Sequence, residues 1–130
     1  MNIGGAAQRS GISEHTVRYY ERIGLLQPVR RTASGLRSFT ARDLAWLEFL
    51  AKLRATRMPL KQMRRYAELV RQGDSTLAER RALLEAHEHR VRAEIARMNE
   101  CLTAVDQKLK LYREMETGTR QGCCDRLARP

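Results

Sequence analysis

Residues 2–26 read NIGGAAQRSGISEHTVRYYERIGLL, and this stretch decides how the rest of the chain is interpreted. A short segment with apolar residues on one side ends at Ser10 and Gly11, and a second helix-forming segment begins after Ser13. Serine is a favoured N-cap residue, and a glycine such as Gly24 commonly ends a helix in the left-handed conformation. Two short helices joined by a tight glycine-containing turn predict a helix-turn-helix.

The second of these helices carries the side chains that a nucleic acid would meet. Polar, cationic and aromatic groups on one helix suit hydrogen bonds to base edges and phosphates. The candidate DNA-binding residues are Ser13, His15, Thr16, Arg18, Tyr19 and Tyr20. Ser13 and His15 lie at the start of this helix. Tyr20 also suits a core position in which its hydroxyl finds an internal partner.

A loop with arginines on both sides of a glycine follows the second helix. Residues 29–39 read VRRTASGLRSF, with Gly35 placed for a turn between two short segments. This pattern predicts a small β-hairpin, or wing, that carries three cations. They are Arg30, Arg31 and Arg37. Thr40 and Asp43 then resemble a capping box that opens another helix.

The last long segment has the most regular pattern. Residues 76–116 contain no Gly or Pro, and apolar residues recur among them every seven positions. The first series is Leu77, Leu84, Val91, Met98, Val105 and Tyr112, and the second is Ile95, Leu102 and Leu109. This is the spacing of a coiled-coil seam, and all of these except Leu77 are predicted dimerisation residues. A helix of this length spans about 60 Å, which favours pairing with a second copy over packing against its own chain.

Basic residues are concentrated in the first half of the chain. Residues 1–72 hold 14 Lys and Arg against 5 Asp and Glu, whereas residues 73–130 hold 11 against 10. A basic half favours a polyanion partner, because contacts from Lys and Arg to phosphates release counterions. An arginine-rich surface without a partner is the alternative, since 21 of the 25 basic residues are Arg.

The remaining composition excludes several classes of protein. With 130 residues, 5% aromatics and recurrent Leu, Ala, Arg and Glu, the chain favours helices over a sheet-based enzyme core. No Ser/His/Asp set, phosphate-binding glycine loop or paired carboxylates indicate an enzyme. No run of roughly 18 apolar residues predicts a membrane span, and the N-terminus lacks the pattern of a secretory signal. Three cysteines, an odd number, indicate a reducing cytoplasm rather than a disulfide framework.

Residues 2–26, with RRTASGLRSFTARDL (30–44) and RATRMPL (54–60), resemble the MerR family of bacterial transcription regulators. The resemblance covers roughly residues 2–116. It implies a mainly α fold: a winged helix-turn-helix DNA-binding domain (1–74), a dimerisation helix that forms an antiparallel coiled coil (75–117) and a short tail (118–130). It also implies a homodimer on a pseudo-palindromic promoter site, which controls transcription by distorting double-stranded DNA and acts on RNA polymerase only indirectly.

The resemblance assigns roles to individual residues. Arg18 is expected in the major groove, and Arg31 and Arg37 are expected to hold the DNA backbone from the first wing. Ser13 and His15 lie at the exposed start of the recognition helix, where members of the family usually have their sequence specificity. Arg54 precedes the second wing and is a further candidate phosphate contact. The chain departs from the family at Leu36, which stands where an aromatic residue is usual, and at Phe39, which stands where Tyr is frequent. A hydroxyl is missing at each place, so the resemblance implies the loss of one phosphate contact.

Other functional classes are weaker alternatives. An architectural winged-helix DNA binder without effector response shares the head but lacks so long a helix, and a basic coiled-coil interaction protein has no reason to carry RYYE and an arginine-bearing wing. Within the family, residues 72–109 are similar to the branch linked to aldehyde and nitrosative stress. Members of that branch often have a reactive cysteine before the second wing, and this chain has none there.

The cysteines leave the effector open between a thiophilic metal or metalloid, an electrophile and an organic ligand. Cys123 and Cys124 are adjacent thiols that suit a soft ion such as Hg(II), Cu(I) or As(III), or they are incidental thiols of a tail. Cys101 suits a small buried apolar group, or a third ligand if the antiparallel geometry allows it. His87 and His89 lie two residues apart, share no helix face and are expected in solvent.

An anaerobic titration of the reduced protein with Cu(I), Hg(II), As(III) and Zn(II) tests the adjacent thiols. If Cys123 and Cys124 form a metal site, we expect stoichiometric binding, seen as thiolate-to-metal absorbance, that is lost in the Cys123→Ser/Cys124→Ser variant. Equal binding in the variant would make these thiols incidental. The search would then move to electrophiles at Cys101 and to organic ligands at the dimer interface.

Overall fold

The computed structural model describes residues 1–118, and this part of the chain is helical. The helices are α1 (Ile3–Ser10), α2 (Glu14–Arg22), α3 (Ala41–Ala55), α4 (Leu60–Arg71) and α5 (Leu77–Glu116), with a short 3-10 helix (Asp74–Thr76) before α5. Two compact units divide the chain, the first Met1–His87 and the second beginning at Glu88. The first turns of α5 therefore belong to the first unit.

Local signals place the ends of the short helices. Ser13 caps α2, because its hydroxyl oxygen accepts a hydrogen bond from the backbone N–H of Thr16 at 3.1 Å. Thr40 and Asp43 form both bonds of the predicted capping box at the start of α3. Gly11 separates α1 from α2 with a φ of 78°, the left-handed conformation that favours glycine. The helix-turn-helix predicted from residues 2–26 is confirmed.

One hydrophobic core joins the first four helices. The central buried side chains come from α2, α3, α4 and the loops between them, and include Val17, Leu25, Leu47, Leu50, Met58 and Met63. Trp46 adds a polar tie at the edge of this core, since its indole N–H donates to the Leu25 carbonyl oxygen at 2.8 Å. The ring of Tyr66 stacks on Trp46 with centroids 5.7 Å apart. These contacts fix the loop after α2 against α3 and α4.

The predicted β-hairpin wing is wrong in its strands, because residues 1–118 contain no β-strand. Residues 29–39, called the wing loop below, make a single antiparallel bridge between Arg31 and Arg37. Two backbone hydrogen bonds flank it, from Thr32 N–H to Leu36 O and from Ser38 N–H to Arg30 O, each 2.7 Å. Gly35 takes a φ of 85°, as the tight turn requires.

The backbone pairing between the two arms of the wing loop ends there, because Val29 on one arm and Phe39 on the other bond to different partners. The N–H of Val29 donates to the Glu21 carboxylate at 2.8 Å. The N–H of Phe39 donates to the Met1 carbonyl oxygen at 2.6 Å, and the Met1 amino group donates back to Phe39 O at 3.1 Å. The two arms of the loop are thereby held by α2 and by the N-terminus rather than by each other.

The long helix α5 runs over 40 residues, close to the predicted span. Leu84 is half-buried and packs against the core of the first unit. Within the second unit, Val91 is half-buried and the other predicted seam residues are exposed. They are Ile95, Met98, Leu102, Val105, Leu109 and Tyr112. Among the described residues, no helix is apolar and long enough to cross a membrane.

Candidate nucleic-acid interface

Helix α2 presents one face to solvent and the other to the core. Val17 and Tyr20 are buried on the inner face, and His15 and Arg18 are exposed on the outer face. Ser13 is exposed at the N-cap, and its hydroxyl also donates to Thr16 Oγ1 at 2.9 Å. The Ser13 and Thr16 hydroxyls are therefore engaged with each other, and the exposed polar groups of the helix are Glu14, His15, Arg18 and Arg22.

Residues 18–21 form the RYYE motif, and its two tyrosines have different surroundings. Tyr20 is only 5% exposed, so the structure places it in the core, the second of its two expected positions. Burial raises the pKa of the Tyr20 phenol, the nearby Arg54 cation lowers it by a smaller amount and Tyr19 adds to the rise. Tyr19 is half-buried, and the Arg22 guanidinium lies over its ring at 5.4 Å. Tyr19 is thus the tyrosine of the pair that reaches the surface.

Glu21 connects α2 to the wing loop. One carboxylate oxygen accepts from Arg37 Nε at 2.9 Å and the other accepts from the Val29 N–H at 2.8 Å. Burial acts to raise the pKa of Glu21, but these two hydrogen bonds and the charges of Arg37 and Arg31 lower it, so the pKa lies below its ordinary value. The carboxylate stays ionised and holds the loop to the helix.

This ion pair changes how the wing arginines are placed. The Arg37 side chain is 21% exposed and its Nε is bound to Glu21, whereas Arg30 and Arg31 are exposed. Arg31 donates from Nη1 to Gly35 O at 2.9 Å, which braces the tip of the loop. Sequence reasoning missed Glu21, although it is the single acid of RYYE and precedes a loop with three arginines.

A second basic segment lies at the end of α3. Arg54 is exposed and donates from Nη1 to Met58 O at 3.0 Å across the turn. Arg57 is also exposed, and it takes a φ of 66°, the only positive φ of a non-glycine residue in the described chain. Residues 54–58 are called the second basic turn below. Sequence reasoning named Arg54 and missed Arg57.

A groove of about 780 Å³ lies between α2 and α4. Its lining residues are Tyr19, Ile23, Gly24, Leu60, Lys61, Arg64, Arg65, Glu68 and Arg71. Arg65 pairs with Glu79 and Arg71 with Glu68, whereas Lys61 and Arg64 make no ion pair within residues 1–118. These two cations, which sequence reasoning did not single out, border the same helix as Arg18.

The predicted metal ligands are not brought together in the described part of the chain. Cys101 is exposed on α5, so the expectation that it is buried does not hold for the single chain. Cys123 and Cys124 lie outside the described residues. Among residues 1–118, no three or more His, Cys, Asp or Glu side chains form a group that could hold a metal ion.

The fold and the exposed basic face of α2 define a helix-turn-helix protein built to meet DNA. The chain belongs to the MerR HTH family of regulatory proteins, whose model matches residues 1–69. An uncharacterised HTH-type transcriptional regulator of Haemophilus influenzae is 40% identical over 109 residues, which cover 84% of this chain and 81% of that protein. The regulator AdhR of Bacillus subtilis is 35% identical over 91 residues, 70% of this chain and 65% of AdhR.

Solved structures agree with this assignment. A MerR family regulator from Listeria monocytogenes superposes with a TM-score of 0.85 at 35% identity, covering 96% of this chain and 95% of that one. HiNmlR, a MerR family regulator that lacks the sensor domain, was solved bound to promoter DNA. It superposes with a TM-score of 0.78 at 38% identity, covering 89% of this chain and 92% of HiNmlR. The protein is a DNA-binding transcriptional regulator and not an enzyme.

Replacement of Glu21 tests the tie between α2 and the wing loop. Glu21→Gln leaves the Val29 N–H and Arg37 Nε facing an amide, and we expect about 1–3 kcal/mol lower stability at pH 7. Because the folded-state pKa of Glu21 is lowered, its stabilisation is present above the ordinary carboxyl pKa of 4.5 and is lost as pH falls through the folded-state pKa. The difference between wild type and variant should therefore shrink in acid.

Urea unfolding between pH 7 and pH 3 at one fixed protein concentration measures this difference. Glu48→Gln on α3 removes a carboxylate of the same type outside the tie, and it should leave both the stability and its pH dependence close to wild type. Parallel curves for wild type and Glu21→Gln at all pH values would contradict the assignment.

Proposed function

We propose that the protein is a homodimeric transcription regulator that binds a pseudo-palindromic promoter site and controls transcription by distorting the DNA. The observation that carries the proposal is that two basic segments lie beside the recognition helix α2, one of them joined to it by Glu21. Glu21 joins the wing loop to α2, and Arg54 of the second basic turn lies close enough to Tyr20 to lower its pKa. Several cationic segments around one exposed helix suit a duplex, in which the bases lie between phosphate backbones.

The residues divide into base-reading and backbone-gripping groups. Arg18 and His15, exposed on the outer face of α2, are placed to reach base edges in the major groove. The exposed cations of the wing loop and the second basic turn, together with Lys61 and Arg64 of the groove, are placed to contact phosphates. Arg37 acts first through Glu21, as an anchor of the wing loop. The Tyr19 phenol is a further candidate donor to a phosphate.

Dimerisation is proposed through the second unit. Ile95, Met98, Leu102 and Val105 are each more than half exposed and follow the seven-residue seam on α5. An apolar stripe of this length in water favours a second helix with the same stripe. An antiparallel arrangement gives the dimer two-fold symmetry, which matches a two-fold DNA site.

Distortion rather than direct recruitment is the proposed mode of action. Two heads on one rigid pair of helices bind half-sites at a fixed spacing, and a duplex that must bend or untwist to meet both pays in deformation energy. RNA polymerase then meets altered promoter geometry and needs no surface on this protein. Such a regulator works where the bacterial chromosome is, in the cytoplasm.

Two versions of this regulator differ in effector response. The similarity to AdhR and to HiNmlR supports the proposed stress-linked branch of the family. HiNmlR lacks the sensor domain and is spanned for 92% of its length by this chain, and the described residues hold no candidate metal group. These observations favour, as the second candidate, a DNA-binding regulator without an effector of its own.

Substitution of Arg18 tests base reading. Arg18→Ala should lower affinity for an operator selected from random duplexes by about 1–3 kcal/mol more than it lowers affinity for unselected DNA, because a lost base contact affects only the correct sequence. Lys61→Ala removes the same charge from α4 and should weaken both affinities alike, with a salt slope lower by about 1 per protomer. An unchanged ratio of specific to non-specific affinity in Arg18→Ala would refute the base-reading role.

Substitution of Leu102 tests the dimer. Leu102→Glu places a carboxylate in the seam, where pairing would desolvate it, and should convert the dimer to monomer in sedimentation velocity. Ala104→Glu adds the same charge to an exposed position off the seam and should leave the dimer intact. A dimer that survives Leu102→Glu would exclude this face.

A further inference from the structure

His87 lies on α5 within the first unit and, contrary to expectation, is buried. It is 7% exposed, whereas His89 is exposed as predicted. His87 Nε2 lies 2.8 Å from the Thr56 hydroxyl oxygen. Thr56 is the C-cap of α3, so this contact joins the long helix to the second basic turn across 31 positions of sequence.

The neighbours of the Thr56 hydroxyl fix the direction of this hydrogen bond. The hydroxyl oxygen lies 3.0 Å from the carbonyl oxygens of Lys52 and Leu53, which can only accept. The single hydroxyl proton is therefore directed to the last turn of α3, and the oxygen accepts from His87 Nε2–H. A chain of hydrogen bonds thus runs from α5 through the Thr56 hydroxyl to the last turn of α3, whose Lys52 and Leu53 carbonyls also accept from backbone N–H groups.

The turn held by this chain is strained and basic. Arg57 has a φ of 66°, a conformation that is unfavourable for a residue with a side chain and persists only where the surroundings impose it. Its N–H donates to Arg54 O at 2.9 Å, and the Met58 N–H donates to Leu53 O at 2.9 Å. Met58 is fully buried, so the turn is anchored on the core side as well. The exposed side chains of Arg54 and Arg57 are therefore attached to a backbone that is held in one conformation.

We propose that His87 and Thr56 are positioning residues that hold the second basic turn in register with α5, so that Arg54 and Arg57 meet DNA phosphates. The inference rests on the proposed DNA-binding function and adds a route to it. The helix that carries the dimer seam also carries the donor that sets this turn. The placement of α5 at His87 therefore acts on the DNA contacts of the same head.

Paired substitutions in the full chain test the hydrogen bond at both ends. Thr56→Val removes the hydroxyl at nearly constant size, and His87→Phe removes the ring donor. Both should weaken operator binding and lower the slope of log K against log salt by about 1 per protomer, because a phosphate contact is lost. Thr56→Ser and His87→Gln each keep the required group and should restore both quantities. The Thr56→Val/His87→Phe double variant should be no worse than either single variant.

The readouts separate this role from simple stabilisation. Thermal unfolding establishes a temperature at which every variant is folded, and the salt slope is measured below it; a purely structural contact would lower Tm and leave the slope unchanged. Should Thr56→Val and His87→Phe fail to fold, ¹⁵N spectra of the wild-type imidazoles decide, since a His87 without a proton on Nε2 overturns the proposal. Wild-type protein without operator preference would instead refute the DNA-binding proposal itself.

Discussion

The DNA-binding surface depends on Glu21, whose two carboxylate oxygens each accept a hydrogen bond from the wing loop. Glu21 lies at the end of the recognition helix, and the two donors are a backbone N–H and Arg37. Without it, a loop that makes only one antiparallel bridge has little of its own structure to hold it. An ionised, largely buried carboxylate surrounded by arginines is worth more than a surface pair, because both oxygens are hydrogen-bonded and little water screens them.

The second basic turn is likewise held by a side chain from a neighbouring helix, here His87 of α5. There the strain of Arg57 is held by hydrogen bonds from Arg54, Thr56 and His87, and by burial of Met58. Each exposed basic segment is thus short and irregular, yet each is tied by a buried polar group to a helix that belongs to the core. Cations on such anchored segments lose less conformational freedom when they meet phosphates than cations on a free loop.

Features that depend on contacts between residues close in sequence could be predicted, and features that depend on distant segments could not. The helices and their caps depend on contacts within four residues, so Ser13 and the Thr40–Asp43 box were readable directly. The prediction of two hairpin strands was wrong because the Val29 N–H bonds to Glu21 of α2 and the Phe39 N–H bonds to Met1. Neither partner could be identified from residues 29–39 alone. The burial of Tyr20 and His87 likewise depends on packing of distant segments. RYYE was recognisable as a motif, but the role of its acid required the position of Arg37.

The acids of the first unit explain how so basic a domain keeps its positive surface available. Asp43 caps α3, Glu21 holds Arg37, Glu68 pairs with Arg71 and Glu79 pairs with Arg65. Arg65 and Arg71 line the groove beside α2 and are paired in this way, whereas none of these carboxylates pairs with Arg18, Lys61 or Arg64. Because an acid paired with one cation cancels much of that cation's field at a distance, the unpaired cations contribute most to the positive potential that attracts a polyanion to this chain of net charge +10. Two substitutions that together removed one acid from such a pair and added one on the exposed face of α2 would leave the net charge unchanged. They would still weaken the attraction of that face for phosphate.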